Sequence, residues 1–163
     1  MKDFLIKVKN VILYIWQLPQ NLLGLLLITI YKKKVYPSKK IKQVVKKLRE
    51  KYNLTIFIAD TESLNRHKIL RWFSGFSIGK YIYLPENAVD SEIFHEAGHT
   101  IQSKILGPLY LIIVGISSAV FCNLWDRIFH REWTATKRRE WYYSRFPEKW
   151  ADDLGAKRIT FND

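Results

Sequence analysis

His95-Glu96-Ala97-Gly98-His99 is an HExxH stretch. On a helix its two imidazoles stand one turn apart on one face and can grip a single metal ion, with the glutamate turned toward the same open position. The flanking residues predict that helix. Asp90 reads as its N-cap, Glu92 falls in the first turn, and Ile93, Ala97, Ile101 and Ile105 form an apolar i, i+4 stripe. Gly98 works against it, costing about 1 kcal/mol relative to alanine in a helix interior, so another element is expected to come close at that point. The bland alternative is a surface helix with two solvated histidines. A third ligand decides between the two.

Zinc in a hydrolase takes three protein ligands and leaves one position for water. Of the four histidines, His67 and His130 have no supporting context. An acidic ligand is better placed. In Pro147-Glu148-Lys149-Trp150-Ala151-Asp152-Asp153-Leu154-Gly155-Ala156, Pro147 suits a first helical position, and Glu148 and Asp152 become i, i+4 neighbours. Glu148 can then bind the metal while Asp152 accepts the second ring N–H of a ligating histidine and fixes its tautomer. Ala151, Gly155 and Ala156 are small enough for this helix to lie against the first. An ordinary amphipathic helix burying Trp150 and Leu154 accounts for the same residues without a metal.

HExxH followed by a downstream ExxxD resembles the pattern of the gluzincin zinc peptidases. The wording from Glu148 to Ala156 is similar to the E-x-x-A-D-x-x-G-A segment of HtpX-type and CAAX-processing membrane peptidases. The resemblance implies zinc held by His95, His99 and Glu148, Glu96 as general base and Asp152 as the partner of a ligand. It covers the two motifs, the hydrophobic segment between them and the membrane-like N-terminus. Those peptidases are longer and have several membrane spans, so the implied relative is a minimal one. No residue that stabilises the transition state transfers by motif; Tyr142, Tyr143, Arg145 and His130 are candidates by proximity in sequence.

At 163 residues the chain is expected to be a single domain of α+β class, predominantly helical. Membrane-anchoring helices over 1–34 would precede a minimal zincin-like catalytic part over 35–163. Aromatic residues make up 15% of the chain, more than a small soluble core needs. Cys122 is the one cysteine, which removes any disulfide framework. The net charge of +12 is concentrated after the first apolar segment, at Lys32, Lys33, Lys34, Lys39, Lys40 and onward through Lys51. That position favours an anionic lipid surface over nucleic acid, for which no motif is present. Part of this charge belongs to the solvated face of a helix over 41–52. The expected location is a membrane, at the cytoplasmic face of a bacterial-type inner membrane.

Residues 4–31 are apolar but interrupted by Gln17, Pro19, Gln20 and Asn21. Polar groups at mid-membrane are expensive, so two shorter helices meeting near Pro19 and lying in one leaflet are preferred to one span. No small-residue cleavage site follows, which reads as a retained anchor. Short strands are expected at 54–59 and in a hairpin of 73–78 with 81–84, turning at Gly79-Lys80. The stretch 109–125 is apolar enough for a span. A full crossing there would separate His99 from Glu148, so a re-entrant hairpin near Gly115 to Ser118, or a packed core helix, is expected instead. Residues 126–145, basic and rich in tryptophan and tyrosine, suit either a headgroup interface or ordinary packing.

The leading function is a membrane-associated zinc metallopeptidase acting on a peptide or protein substrate near the bilayer. Two rivals stay open. One is a non-catalytic zinc-stabilised membrane protein, a sensor or assembly partner. The other is a basic membrane-surface or nucleic-acid-binding protein with a coincidental HExxH.

Overall fold

The computed structural model describes residues 2–30, 39–59, 75–85 and 87–158. His67, Phe73 and the Lys32, Lys33 and Lys34 cluster lie outside them. Helices α1 (Lys2–Trp16), α2 (Leu18–Ile30) and α3 (Lys39–Tyr52) lead into strand β1 (Thr55–Ala59), then β2 (Phe76–Ile78) and β3 (Tyr81–Pro85). Helix α4 (Asp90–Leu106) follows, then a short 3-10 turn (Gly107–Leu109) and a π-helix (Leu111–Leu124). Helix α5 (Trp125–Phe129) continues that π-helix, and α6 (Ala135–Tyr143) and α7 (Glu148–Arg158) complete the chain described. The architecture is α+β and predominantly helical, around a three-stranded sheet of order β1-β3-β2.

β3 is the central strand, parallel to β1 and antiparallel to β2. Residues alternate across a strand, and both faces of β3 are covered. Ile82 and Leu84 join Ile56 and Ile58 against Val45 and Leu48 of α3 and Ile93, Ala97 and Ile101 of α4. On the other face Tyr83 stacks on Phe76 at 5.1 Å, and a Cβ at Gly24 of α2 would stand 2.9 Å from the Tyr81 ring. Each large aliphatic side chain buried this way contributes about 1.5–3 kcal/mol. The hairpin turns at Gly79, which has φ +63°. A side chain there would strike Asn21 Oδ1, the atom that accepts from the Lys80 N–H at 2.9 Å.

The expected N-cap of α4 shifts by one residue. Val89 holds the cap position and Asp90 opens the helix, because Glu92 reaches back to accept from the Val89 N–H at 3.0 Å. Ile93, Ala97 and Ile101 of the expected stripe are buried, whereas Ile105 is 48% exposed. Gly98 meets the close approach expected of it. A Cβ there would lie 2.0 Å from the Ala151 carbonyl oxygen of α7, and a Cβ at Gly155 would lie 2.3 Å from the Phe94 carbonyl oxygen of α4. The two helices touch backbone to backbone at both points.

α1 and α2 are bent by 81°, so the apolar N-terminal stretch is broken as expected, with the break at Gln17 and Pro19 the second residue of α2. The polar residues of the break serve packing. Gln17 Oε1 accepts from Ser103 Oγ at 2.9 Å, and Gln20 Nε2 donates to the Gly107 carbonyl at 2.8 Å. Gln17, Gln20 and Asn21 are all buried against protein, and their amide N–H groups donate to backbone carbonyls that lipid would not supply.

The stretch 109–125 forms neither the hairpin nor the packed core helix expected of it. Leu111–Phe129 is one continuous helix of 19 residues, long and apolar enough to cross a membrane, with 17% of its apolar window buried. Its middle runs past the site, and the chain zips back along its second half: Arg138 to Asp126 at 2.6 Å, Asn123 to Tyr142 at 3.3 Å and Cys122 to the Phe146 carbonyl at 3.6 Å. Three contacts in antiparallel order bring Glu148 home without a turn at Gly115. In 126–145 the tryptophans pack: Trp133 stacks on buried His130 at 3.8 Å, with Trp141 edge-on at 4.3 Å.

Gly98→Ala tests the α4/α7 contact. Helix propensity alone favours alanine by about 1 kcal/mol, but a carbon 2.0 Å from a backbone oxygen must push α7 away, and such overpacking costs about 1–3 kcal/mol. Net destabilisation and weaker metal binding are expected from denaturant midpoints and metal titration. Gly115→Ala, whose added carbon meets nothing nearer than 3.9 Å, keeps the propensity gain without the clash and should raise stability by up to about 1 kcal/mol.

Candidate metal centre

α4 aims His95 and His99 at the first turn of α7, where Glu148 waits. All three side chains are buried, Glu148 completely. His95 Nε2 and His99 Nε2 lie 3.2 Å apart, and Glu148 Oε2 lies 3.1 Å from the first and 3.2 Å from the second. Three ligands at about 2.0–2.1 Å in a tetrahedron would stand roughly 3.3 Å apart. The triangle fits one ion, and the three residues could hold a metal.

Hydrogen bonding at the far side of each ring sets the chemistry. His95 Nδ1 donates to Asp152 Oδ1 at 2.7 Å, the partnership expected of Asp152. His99 Nδ1 donates to Gln102 Oε1, also at 2.7 Å. The Gln102 amide cannot turn over, because its Nε2 donates to the Pro147 carbonyl at 2.9 Å. Both imidazoles thus turn Nε2 toward one carboxylate oxygen, as a bare lone pair when the ring is neutral and as an N–H donor when it is protonated. Three electron-rich atoms this close need a cation between them, a proton or a metal. Two buried carboxylate oxygens, Glu148 Oε1 and Glu96 Oε2, have no hydrogen-bond partner within the protein, as suits a centre built around a further group.

The electrostatics follow. Burial pushes the His95 imidazolium toward losing its proton, but the hydrogen bonds to Asp152 and Glu148 outweigh it and raise the group to about 10. For Glu148 burial favours the neutral acid, and the hydrogen bonds from His95 and His99 reverse that, holding the carboxyl well below the usual range. Glu96 is raised, chiefly by burial, against the lowering pull of both histidines.

Of the residues near in sequence, Tyr142 and Tyr143 reach the site and Arg145 and His130 do not line it. The Tyr143 ring meets His95 edge-on at 5.0 Å. Burial and the charge of Glu96 push its hydroxyl up to about 12, so it stays a donor. Sequence reasoning missed Gln102. Its signal was the i, i+3 spacing from His99, which puts it on the ligand face of α4.

Two clefts meet at Glu96. One, of about 490 Å³, runs between α2, the edge strand β2 and the π-helix, and is walled by Leu23, Leu27, Leu111, Val114, Ile116 and Val120. The other, of about 310 Å³, opens between α5 and α6, and its wall includes Asp126, Arg127, Arg138 and Arg139 beside Glu96. Gly75, His95, Glu96 and Tyr142 line both. Compared with family models, with curated proteins and with solved structures, the chain gives no significant match.

Metal binding should release the proton that His95 holds. Its pKa is raised from 6.5 to about 10, so the metal-free fold is stabilised by this group below pH 6.5 and loses that stabilisation as pH rises through about 10. Metal affinity should therefore climb with pH by about tenfold per unit across pH 7–9, one proton being displaced. Isothermal titration in buffers of different ionisation enthalpy reads both quantities. Gln102→Ala should weaken the metal by about 10–100-fold.

Proposed function

We propose that the chain is a membrane-associated zinc metallopeptidase in which His95, His99 and Glu148 hold the metal and Glu96 is the general base. The observation that carries this reading is the triangle of 3.1–3.2 Å between three buried ligand atoms, with a buried glutamate on the same helical turn. Two imidazoles and one carboxylate are the donor set of peptidase zinc sites that leave a position for water. A zinc bound there would polarise the scissile carbonyl and acidify a water.

The protein's own groups supply the rest. Asp152 and Gln102 keep both rings in the tautomer that presents Nε2. Glu96, its proton affinity raised by burial, takes a proton from the attacking water and returns it to the leaving nitrogen, the exchange a base tuned upward performs well. Tyr142 and Tyr143, both held protonated by burial, offer O–H donors to the oxygen on which charge develops.

The membrane part of the reading rests on surface chemistry. Phe4, Ile12 and Ile15 of α1, Leu22 and Leu26 of α2, and Ile112, Ile116 and Phe121 of the π-helix are large apolar side chains exposed to the surroundings. A monomer in water rarely shows so much. The apolar cleft opens between α2 and the π-helix, so a peptide segment held in or against a bilayer can reach the metal without leaving its apolar surroundings. Basic α3 suits an anionic headgroup layer.

Elemental analysis should find one zinc per chain, and Glu96→Ala should keep that zinc while kcat for peptide cleavage falls by about 10²–10⁴. His95→Ala should lose the metal. Undiminished cleavage by the Glu96→Ala protein would end the assignment, and bound zinc with no cleavage of any peptide pool would favour a purely structural metal.

A further inference from the structure

We infer that the pocket enclosed by α1, the end of α3, the hairpin turn and the last turn of α4 is a binding site for a phosphate group, with Lys80 and Lys104 as its recognition residues. It shares no lining residue with the two clefts at Glu96, so its occupancy does not depend on the peptidase reading.

The pocket has a volume of about 250 Å³. Lys80 and Lys104 line it together with Asn10 and Asn53, and no aspartate or glutamate among the described residues does. Both lysines are half-buried, and their partners are neutral. Lys104 Nζ donates to the Tyr52 carbonyl at 3.0 Å, which uses one of its three N–H bonds. Lys80 Nζ stands over the rings of Tyr14 and Tyr81, 4.9 and 5.4 Å from their centres. No carboxylate among the described residues is paired with either.

The acids on the surrounding elements lie elsewhere. Glu50 of α3 pairs with Lys46 at 3.9 Å. Asp3 precedes Asn10 on α1 by about two turns, and Glu96 precedes Lys104 on α4 by as much. A third cation adds to the excess: burial, then the charge of Lys9, push the Lys104 ammonium below its usual range. Positive charge is thus held in a concave, acid-free site, where it favours an anionic guest.

The donors select the kind of anion. A lysine acts as a point charge and lacks the planar fork with which arginine matches a carboxylate. Two ammonium groups and two amides converge here from four segments of the chain, an arrangement suited to a tetrahedral oxyanion with acceptors in several directions. Two sources present that chemistry: the headgroup of an anionic phospholipid, or a soluble phosphate. The far side of α1 exposes Phe4, Ile12 and Ile15, so the pocket lies beneath a helix with an apolar outer face, as an interfacial helix has.

With the full chain, isothermal titration measures inorganic phosphate, and co-sedimentation measures vesicles of phosphatidylcholine with and without phosphatidylglycerol. Lys80→Gln and Lys104→Gln should each weaken the binding by about 10–100-fold, the worth of a charge-assisted contact, and Lys80→Arg should restore most of it. Lys46→Gln removes the same charge from the exposed face of α3 and should cost no more than about fivefold. Saturable binding of inorganic phosphate that Lys80→Gln removes names a soluble phosphate. Vesicle binding that needs both phosphatidylglycerol and Lys80, without a response to inorganic phosphate, names the lipid headgroup. Lys104→Gln gives up the bond to Tyr52 and with it some stability, which a denaturant midpoint reads; Lys80→Gln gives up ring contacts alone and keeps the outcome decisive. No response to inorganic phosphate, together with equal losses of vesicle affinity in Lys80→Gln and Lys46→Gln, would overturn the assignment.

Discussion

The backbone contact between α4 and α7 is the constraint on which the rest of the site depends. Glycines at 98 and 155 remove the two carbons that would hold the helices apart, and Glu148 is thereby delivered to both imidazoles. Removing a side chain from a helix interior costs about 1 kcal/mol per glycine in propensity. The gain is a buried carboxylate within 3.2 Å of two ring nitrogens, an arrangement stable only with positive charge inside it. A proton on His95 meets that need, and a metal ion could meet it in the same place. The close helix contact and the demand for a cation are two sides of one geometry.

The second organising feature is the continuous apolar helix that runs past the centre. Because its middle borders the site, the return path needs only its C-terminal half, and the chain takes it through a ladder of polar contacts ending near Glu148. The N-terminal corner works in a comparable way on the opposite wall. Gln17, Gln20 and Asn21 tie α1 and α2 to the end of α4 and to the hairpin turn. The apolar faces of both elements are left outward. The candidate metal centre thus lies between two elements that present hydrocarbon to their surroundings, and its apolar cleft opens between them.

Much of the centre was legible in the chain because its parts are local repeats of helical spacing. His95 and His99, and Glu148 and Asp152, are i, i+4 pairs, and the glycine and alanine positions announced close packing. Gln102 is equally local and was passed over, since glutamine in isolation carries no chemical signal. The arginine wall was not legible. Its residues belong to different helices, α5 and α6, and only the antiparallel return of the chain lines them up with Glu96. The path of the 109–125 segment was misread for a related reason. Hydropathy gives the length and polarity of a helix but not which part of it faces the site.

The amino-acid order by itself determined the two motif helices, the broken apolar N-terminus, the hairpin turn at Gly79 and the identity of three candidate ligands. These follow from periodicity, backbone permissiveness and donor chemistry, all of which act over a few residues. Tertiary structure decided the rest: that the candidate ligand atoms of His99 and Glu148, 49 residues apart, stand 3.2 Å from each other, that Gln102 is locked by the Pro147 carbonyl, and that the aliphatic cleft on one side of Glu96 meets one with charged walls on the other. Each of those needs two distant segments placed to within a fraction of an ångström, and packing, not local spacing, sets such distances.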